Sequence, residues 1–298
     1  MAILQTISLG LLLLISYAAA TTSKPALILV PGAFHRASVY DTVSRQLHNA
    51  GYTHIDAVEL PSLGYSATGV ERTADVEAVT QLLSQRLHLD GDDVILVGNS
   101  YGATVIMEAV KDFEAYSSAL GPRTPNSAQI LGLIMLSGYI PTITSVTSPA
   151  THLDVRAVSP SYFSFHPSPP SKNTTAPSLV TWDLDLATYP PSHTFYNLLN
   201  ASAAAYWTSQ LLPTSFEALN ATGTYIAYGG RFRTLYVVAE FDNCVGPEFA
   251  WAYVEQEGAR FEVEVLEADH VPMLSRPREV VDVVRRFAGE RVGRGTSV

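Results

Sequence analysis

The sequence predicts an α/β protein with a doubly wound, mostly parallel sheet and a cap inserted between two parts of the core. Short apolar runs rich in β-branched residues alternate with helical patterns along most of the 298 residues. Such alternation indicates parallel strands joined by right-handed crossovers. One run, residues 93–97, leads directly into a Gly-x-Ser-x-Gly turn followed by a helical pattern. The alternation stops near residue 139 and resumes after residue 230.

The first part of the core is predicted over residues 21–138. Residues 26–30 form a continuous apolar run typical of a buried strand, and a helix is expected over residues 38–50. A second strand is expected at residues 54–60. Thr73 is the predicted N-cap of the next helix. Two further buried strands are predicted at residues 93–97 and 130–136.

The turn after residue 97 reads Gly98-Asn99-Ser100-Tyr101-Gly102. A serine on such a tight strand-to-helix turn lies in strained backbone, so neighbouring backbone must pass close to the flanking glycines. The helix that follows offers its free N–H groups to a developing negative charge. A glycine-rich turn with an incidental serine is the alternative interpretation.

Residues 139–230 are predicted to form the cap. Four prolines exclude long helices early in this segment: Pro160, Pro167, Pro169 and Pro170. Short helices are expected at residues 192–199 and 201–212. The segment also carries large aromatic side chains that need a surface to cover: Trp182, Phe195, Tyr196, Tyr206 and Trp207.

The second part of the core is predicted over residues 231–298. Strands are expected at residues 235–239 and 261–266, with a helix over residues 247–257 between them. A last helix has Pro277 in its first turn, where proline is tolerated.

The composition limits the classes of protein to which this chain can belong. Hydrophobic residues make up 47% of the chain and charged residues 15%, so the chain can bury a sizeable core and is not disordered. The net charge of −10 argues against a nucleic-acid partner. The single cysteine, Cys244, excludes an intrachain disulfide and is interpreted as a buried small hydrophobe.

Residues 1–20 are predicted to be a cleaved signal peptide. They contain no charged residue, residues 7–15 are almost wholly apolar, and three alanines follow at residues 18–20. The absence of Lys or Arg before the apolar run is atypical. An uncleaved membrane anchor is the alternative, but the first strand begins near Ala26 and leaves too short a tether.

Three glycosylation sequons are consistent with the secretory route. They begin at Asn173, Asn200 and Asn220, and all three lie in the predicted cap. The sequence therefore predicts a secreted glycoprotein without a stable membrane anchor. It does not indicate an oligomeric state.

Candidate catalytic residues follow the predicted strands. Ser100 follows the central strand, Asp242 the next-to-last strand and His270 the last strand. The carboxyl ends of parallel strands meet at one edge of a sheet, so a nucleophile, an acid and a base are expected at the same rim. The order Ser, Asp, His matches a known catalytic triad order.

Glu240 and Asp269 compete with Asp242 for the role of acid. Asp269 precedes His270 directly and points away from it in extended chain, and Glu240 lies closer to the end of its strand. Asp242 is therefore favoured. His35, in the loop after the first strand, is expected to hold that loop by hydrogen bonding rather than to act in catalysis.

The chain resembles the α/β-hydrolase fold family, in particular its plant-esterase and hydroxynitrile-lyase-like group in the form common in fungi and bacteria. The resemblance covers nearly everything after residue 20. Its main stretches are Leu29-Val30-Pro31-Gly32-Ala33-Phe34-His35, Gly98-Asn99-Ser100-Tyr101-Gly102, Val238-Ala239-Glu240-Phe241-Asp242 and Asp269-His270-Val271-Pro272-Met273-Leu274-Ser275. Pro31 stands where many members have His, and the proline-rich start of the cap has no counterpart.

The resemblance implies a serine hydrolase of a small or medium, largely apolar carboxylic ester or lactone, with no cofactor. The backbone N–H groups of Ala33 and Tyr101 would form the oxyanion hole. Ser100 would attack the carbonyl, His270 would transfer the proton, and Asp242 would orient the imidazole.

Three other functions use the same scaffold. The hydroxynitrile lyases of this group have Lys directly after the catalytic His and Thr-Ile in the oxyanion loop, whereas this chain has Val271 and Gly32-Ala33. A cyclase or hydrolase of a secondary-metabolite pathway would use the same residues as an esterase. A non-catalytic, receptor-like binder is disfavoured by the complete set of triad residues.

Overall fold

A computed structural model of the chain describes residues 24–121, 127–148, 150, 154–168 and 177–293. The strands in these ranges are β1 (Ala26–Val30), β2 (Ile55–Ala57), β3 (Val94–Asn99), β4 (Ile130–Leu136), β5 (Ser164–Pro167), β6 (Pro177–Thr181), β7 (Thr214–Ser215), β8 (Thr234–Ala239) and β9 (Glu262–Leu266). Six of them form one sheet in the order β2-β1-β3-β4-β8-β9. Each pair of neighbours in that sheet is parallel.

The α-helices of the described residues are α1 (Asp41–Asn49), α2 (Arg72–Ser84), α3 (Gly102–Ala109), α4 (Ile143–Thr147), α5 (Val155–Val158), α6 (Pro191–Thr194), α7 (Ala201–Gln210), α8 (Phe216–Asn220), α9 (Pro247–Glu255), α10 (Pro272–Ser275) and α11 (Pro277–Phe287). Helices α1 and α11 contact each other, whereas α2 contacts α3 and α8.

The central strands explain why the sheet is the core of the molecule. Every residue of β1, β3 and β8 is buried, as expected for parallel strands covered on both faces. The apolar residues of α11 are buried as well: Val280, Val281, Val283, Val284 and Phe287. The predicted doubly wound α/β fold is confirmed.

Two elements differ from the prediction. Strand β2 is shorter than residues 54–60, although Val58 N–H still donates to Leu29 O at 2.9 Å. The predicted N-cap at Thr73 is wrong, because α2 begins at Arg72 and its N-cap is Glu71, two residues earlier than predicted. The Arg72 guanidinium is buried and donates to the carbonyl oxygen of Ala218, so a tertiary contact decides where this helix starts.

Residues 139–230 contain a small antiparallel sheet in the order β5-β6-β7, which the sequence did not predict. The helix expected over residues 201–212 corresponds to α7, whereas α6 covers only the start of the helix expected over residues 192–199, and residues 195–199 are not helical. Strand β7 is joined to the core, since Ser215 N–H donates to Ser62 O at 2.8 Å and Gly64 N–H donates to Pro213 O at 2.7 Å. The domain boundaries stay a prediction.

The predicted signal peptide and Asn173 lie outside the described residues. Asn200 is exposed, and its Oδ1 accepts a hydrogen bond from Ala203 N–H at the start of α7. Asn220 is half-buried and its Oδ1 accepts from Val155 N–H. Within the described ranges, none of the helices has the length and apolar character needed to cross a membrane.

Gly132, in the middle of β4, provides a test of the packing between the sheet and α11. Its φ is +149°, and an added Cβ would collide with the backbone oxygen of Arg233 and come within 2.7 Å of the Phe287 ring. We expect Gly132→Ala to lower the free energy of unfolding by at least about 2 kcal/mol, because overpacking a well-packed core is destabilising. Urea denaturation measures this change.

Gly229→Ala is the matched control, because an added Cβ there would have only an ordinary contact, 3.8 Å from Ile226. Equal unfolding midpoints for the two variants would contradict the account of Gly132.

Candidate active site

Four loops at one rim of the sheet carry the predicted site residues. Ala33 follows β1, Ser100 follows β3, Asp242 follows β8 and His270 follows β9. The strands are parallel and neighbours in the order β1-β3-β4-β8-β9, so their carboxyl ends lie side by side.

Ser100 lies on a strained turn between β3 and α3. Its φ is +49°, in the left-handed region that non-glycine residues rarely adopt. Gly98 and Gly102 make the turn possible: a Cβ on Gly98 would lie 2.5 Å from Gly102 O, and a Cβ on Gly102 would lie 2.5 Å from Pro31 O. The serine is 9% exposed and lines a cavity.

His270 and Asp242 form a buried pair. His270 Nδ1 donates to Asp242 Oδ2 at 2.9 Å, and their side chains are 3% and 1% exposed. The other carboxylate oxygen of Asp242 accepts from the backbone N–H groups of Cys244 at 2.7 Å and Val245 at 2.9 Å. With the Nδ1 proton held by Asp242, the Nε2 atom of His270 is left to exchange a proton with a reacting group.

Burial by itself lowers the pKa of His270. The negative charge and hydrogen bond of Asp242, together with the electrostatic interaction and hydrogen bond of Cys244, outweigh burial, so the pKa of His270 lies well above its usual value. Asn99 also holds this loop, because its Nδ2 donates to the carbonyl oxygens of His270 at 3.0 Å and Leu136 at 2.9 Å. Sequence reasoning missed this role of Asn99, for which the Gly-x-Ser-x-Gly pattern contains no signal.

The two competing carboxylates have different surroundings. Asp269 is fully buried and accepts hydrogen bonds from Val271 N–H, Ser275 Oγ and Leu198 N–H. It therefore links its own loop to the segment after α6. Glu240 is exposed. Of these carboxylates, Asp242 is the one that accepts a hydrogen bond from the His270 ring.

Hydrogen bonds to the segment at β7 fix the loop after β1 through both the N–H group and the carbonyl of Phe34. Phe34 has a positive φ of 69°; its N–H donates to Thr214 Oγ1 at 2.8 Å, and its carbonyl accepts from Leu212 N–H at 3.0 Å. These partners come from the segment at β7, about 180 residues later. Thr214 was not a predicted site residue, because contacts of such sequence separation leave no local pattern.

His35 braces the same loop, as expected. Its Nδ1 donates to Ala33 O at 2.8 Å, and its Nε2 accepts from the Tyr196 hydroxyl at 2.9 Å. Burial lowers the pKa of His35 to about 4, so the ring is neutral near pH 7. The Phe195 ring packs 5.5 Å from His35 and 5.7 Å from His270, measured between ring centroids.

A cavity of about 1090 Å³ opens at this rim. Ser100, Ala33, Tyr101 and Asp242 line it together with aliphatic and aromatic side chains. Cys244 lines it too and is half-buried, so its interpretation as a buried small hydrophobe is wrong. The loop that carries Cys244 directs the backbone N–H groups of Cys244 and Val245 to Asp242. In this conformation the Cys244 side chain lies in the cavity wall.

These features are those of a known family of enzymes. A model described as the alpha/beta hydrolase family matches residues 27–283. The chain belongs to the alpha/beta hydrolase family. The predicted family and fold are thereby confirmed, and membership supports a hydrolase in general terms.

Several proteins are similar to this hydrolase over nearly their whole length. Alpha/beta hydrolase nvfD from Aspergillus novofumigatus (strain IBT 16806) is 27% identical over 272 residues, covering 90% of this chain and 98% of that protein. A methylesterase, MES16 from Arabidopsis, has a TM-score of 0.67 and 19% identity, covering 89% and 99% of the two chains. A tomato methylketone synthase I variant in complex with beta-ketoheptanoate has a TM-score of 0.67 and 18% identity, covering 89% and 98%.

Replacing Asp242 with Asn tests the prediction that Asp242 is the acid. The variant keeps the shape of the side chain but loses the negative charge, so we expect kcat to fall by about 10⁴-fold, as in a serine protease with the same change. The acidic limb of kcat/KM should also move to lower pH, because the charge that raises the pKa of His270 is gone. Initial rates across pH on the folded variant measure both effects.

Glu240→Gln is the matched control, since the Glu240 side chain is exposed in the same loop. If this variant is the impaired one and Asp242→Asn stays within about tenfold of wild type, the acid has been assigned to the wrong residue.

Proposed function

We propose that the protein is a serine hydrolase that cleaves a carboxylic ester or lactone through an acyl-enzyme. The observation that carries the proposal is the buried His270–Asp242 hydrogen bond at the same rim as Ser100, whose backbone is strained. An imidazole held by a carboxylate and a serine on a tight turn together form the arrangement that activates a hydroxyl as nucleophile.

In the first half of the reaction, Ser100 Oγ attacks the ester carbonyl carbon and His270 Nε2 takes the hydroxyl proton. Asp242 keeps the Nδ1 proton in place and stabilises the imidazolium that forms. The N–H groups of Ala33 and Tyr101 stabilise the negative charge on the former carbonyl oxygen. His270 then gives the proton to the leaving alcohol, which departs.

In the second half, His270 takes a proton from water, and the resulting nucleophile attacks the acyl-enzyme. The same N–H groups stabilise the second oxyanion, and Ser100 regains its proton as the acid leaves. The residue after His270 is Val271, which is fully buried. No cation stands there to polarise a nitrile, which favours ester hydrolysis over the lyase alternative.

The neighbours support an ester as substrate. MES16 is called a methylesterase, and the cavity at Ser100 has mostly apolar walls. An apolar cavity with a few convergent polar groups is typical of a small-molecule site.

Replacing Ser100 with Ala tests the nucleophile. We expect kcat on p-nitrophenyl esters to fall by about five to six orders of magnitude with the fold intact, because the serine and its base act as a unit. A fluorophosphonate probe should label the wild-type protein at Ser100, and peptide mass spectrometry locates the label.

Ser137→Ala is the matched control. Ser137 has a similar φ of +46° directly after β4, yet it lies on no catalytic path in this mechanism. This variant should retain both labelling and turnover. A label on another residue, or an active Ser100→Ala protein, would overturn the proposed function.

We also propose that the protein is exported. The charge-free, apolar residues 1–20 support a signal peptide, and the exposed Asn200 offers a glycan acceptor. The acceptor atom of Asn200 is Nδ2, so its Oδ1 can continue to cap α7 after modification.

Intact-mass analysis of protein from a secreting host tests export. The mature chain should begin near Thr21 and carry a glycan at Asn200, whereas the half-buried Asn220 should be modified to a lesser extent. Asn200→Gln should remove the corresponding mass. An unglycosylated chain that still begins at Met1 would contradict export.

A further inference from the structure

The cavity beside Ser100 is large for a small ester. Its volume is about 1090 Å³, whereas sites for drug-sized ligands are usually about 300–1000 Å³. Its walls include Ile140, Val155, Phe163 and Leu219. A short-chain ester would leave much of this apolar surface against water, so the cavity fits a bulky substrate.

One positive charge lies in this wall. Among the described residues that line the cavity, Arg72 is the only lysine or arginine. It is 4% exposed, and its guanidinium carbon lies 5.7 Å from the centre of the Tyr101 ring. Arg72 therefore lines the same cavity as Ser100 and Tyr101.

The Arg72 side chain is fixed in place by its contacts. Nε donates to Ala218 O at 3.1 Å, Nη2 donates to Leu219 O at 3.4 Å, and Nη1 lies 3.3 Å from Glu108 Oε1. The Tyr101 hydroxyl is a further side-chain hydrogen-bond partner of Arg72. A guanidinium has five N–H bonds, so these four contacts leave one of them for another acceptor. The group therefore keeps donor capacity at a fixed position in the wall.

The charges around Arg72 determine which kind of hydrogen-bond acceptor its guanidinium can bind. Glu108 already neutralises Arg72, with side chains that are 9% and 4% exposed. Asp75 is fully buried in the same cluster, where it accepts from the Tyr101 hydroxyl at 2.7 Å and from Ser62 N–H at 2.8 Å. A carboxylate on the substrate would add an uncompensated negative charge, which is costly to bury. A neutral oxygen would accept the hydrogen bond without that cost.

We propose that Arg72 determines substrate specificity by donating a hydrogen bond to a second, neutral oxygen of a bulky ester. The inference rests on the proposed function for the identity of the ester site. The substrate class is then a large, uncharged, largely apolar ester that carries a ketone, ether or hydroxyl oxygen in addition to the scissile group.

Ligand binding to the Ser100→Ala protein tests the role of Arg72 in the absence of turnover. The ligands are cyclohexyl esters of a long-chain fatty acid, with a ketone oxygen placed at successive carbons of the chain, and the unsubstituted ester for comparison. We expect one position to bind about 10- to 100-fold more tightly than the unsubstituted ester, the range for a hydrogen bond to a charged group. Isothermal titration calorimetry gives the dissociation constants.

The second protein carries Arg72→Met and Glu108→Gln in addition to Ser100→Ala. The two substitutions remove both charges of the ion pair together. The glutamine introduced by Glu108→Gln still offers an amide oxygen to Thr224 N–H, which donates to Glu108 in the wild type. The preference for the ketone should fall to about one in this protein. Ser100→Ala with Glu108→Gln alone keeps Arg72 and should keep the preference. A merely structural role of Arg72 would weaken binding of both ligands equally and leave their ratio unchanged.

Three results would overturn the inference: no ketone position improves binding, the preference survives loss of Arg72, or an ester ending in a carboxylate binds most tightly. A failure of the proposed function can be distinguished from a failure of this inference. If the proposed function is wrong, the wild-type protein will show neither ester turnover nor probe labelling, whichever ligand the Ser100→Ala protein prefers.

Discussion

The close approach of two backbone turns around Ser100 is the contact on which the rest of the site depends. A Cβ on Gly32 would lie 2.9 Å from the Ser100 Cβ, and one on Gly102 would lie 2.5 Å from Pro31 O. Only glycine lets the loop after β1 lie against the turn after β3. That contact brings the loop that carries Ala33 against the turn that carries Ser100 and Tyr101. A larger residue would separate the two loops and so remove the oxyanion hole of the proposed mechanism.

The segment after β6 holds this rim in place. Tyr196 binds His35, Leu198 binds Asp269, and Thr214 binds Phe34. Each contact reaches a loop that carries or neighbours a proposed catalytic group. A strained backbone conformation persists only when several contacts with its surroundings fix it. The hydrogen bonds of Phe34 fix its positive φ in this way. A segment that covers the cavity therefore also fixes the geometry beneath it.

Three buried carboxylates near the site show how environment separates chemical roles. Burying a carboxylate is costly unless hydrogen bonds satisfy it. Asp75 is satisfied by Tyr101 and Ser62, and Asp269 by Val271, Ser275 and Leu198. Burial raises the pKa of both carboxyl groups above the usual range. Asp242 differs because its partners include an imidazole, so its charge acts on a group that can exchange protons.

The sequence by itself determined the α/β class, the positions of the core strands along the chain and the post-strand positions of Ser100, Asp242 and His270, because burial and strand-to-helix turns leave local patterns. It also favoured Asp242 over Asp269 from chain direction alone. Tertiary structure decided the start of α2, where Arg72 reaches Ala218, and the antiparallel sheet of β5–β7. It alone brought Thr214 to Phe34 and Asn99 to His270. Such contacts join residues far apart in the chain, and neither periodicity nor propensity records which distant partner will satisfy a buried polar group.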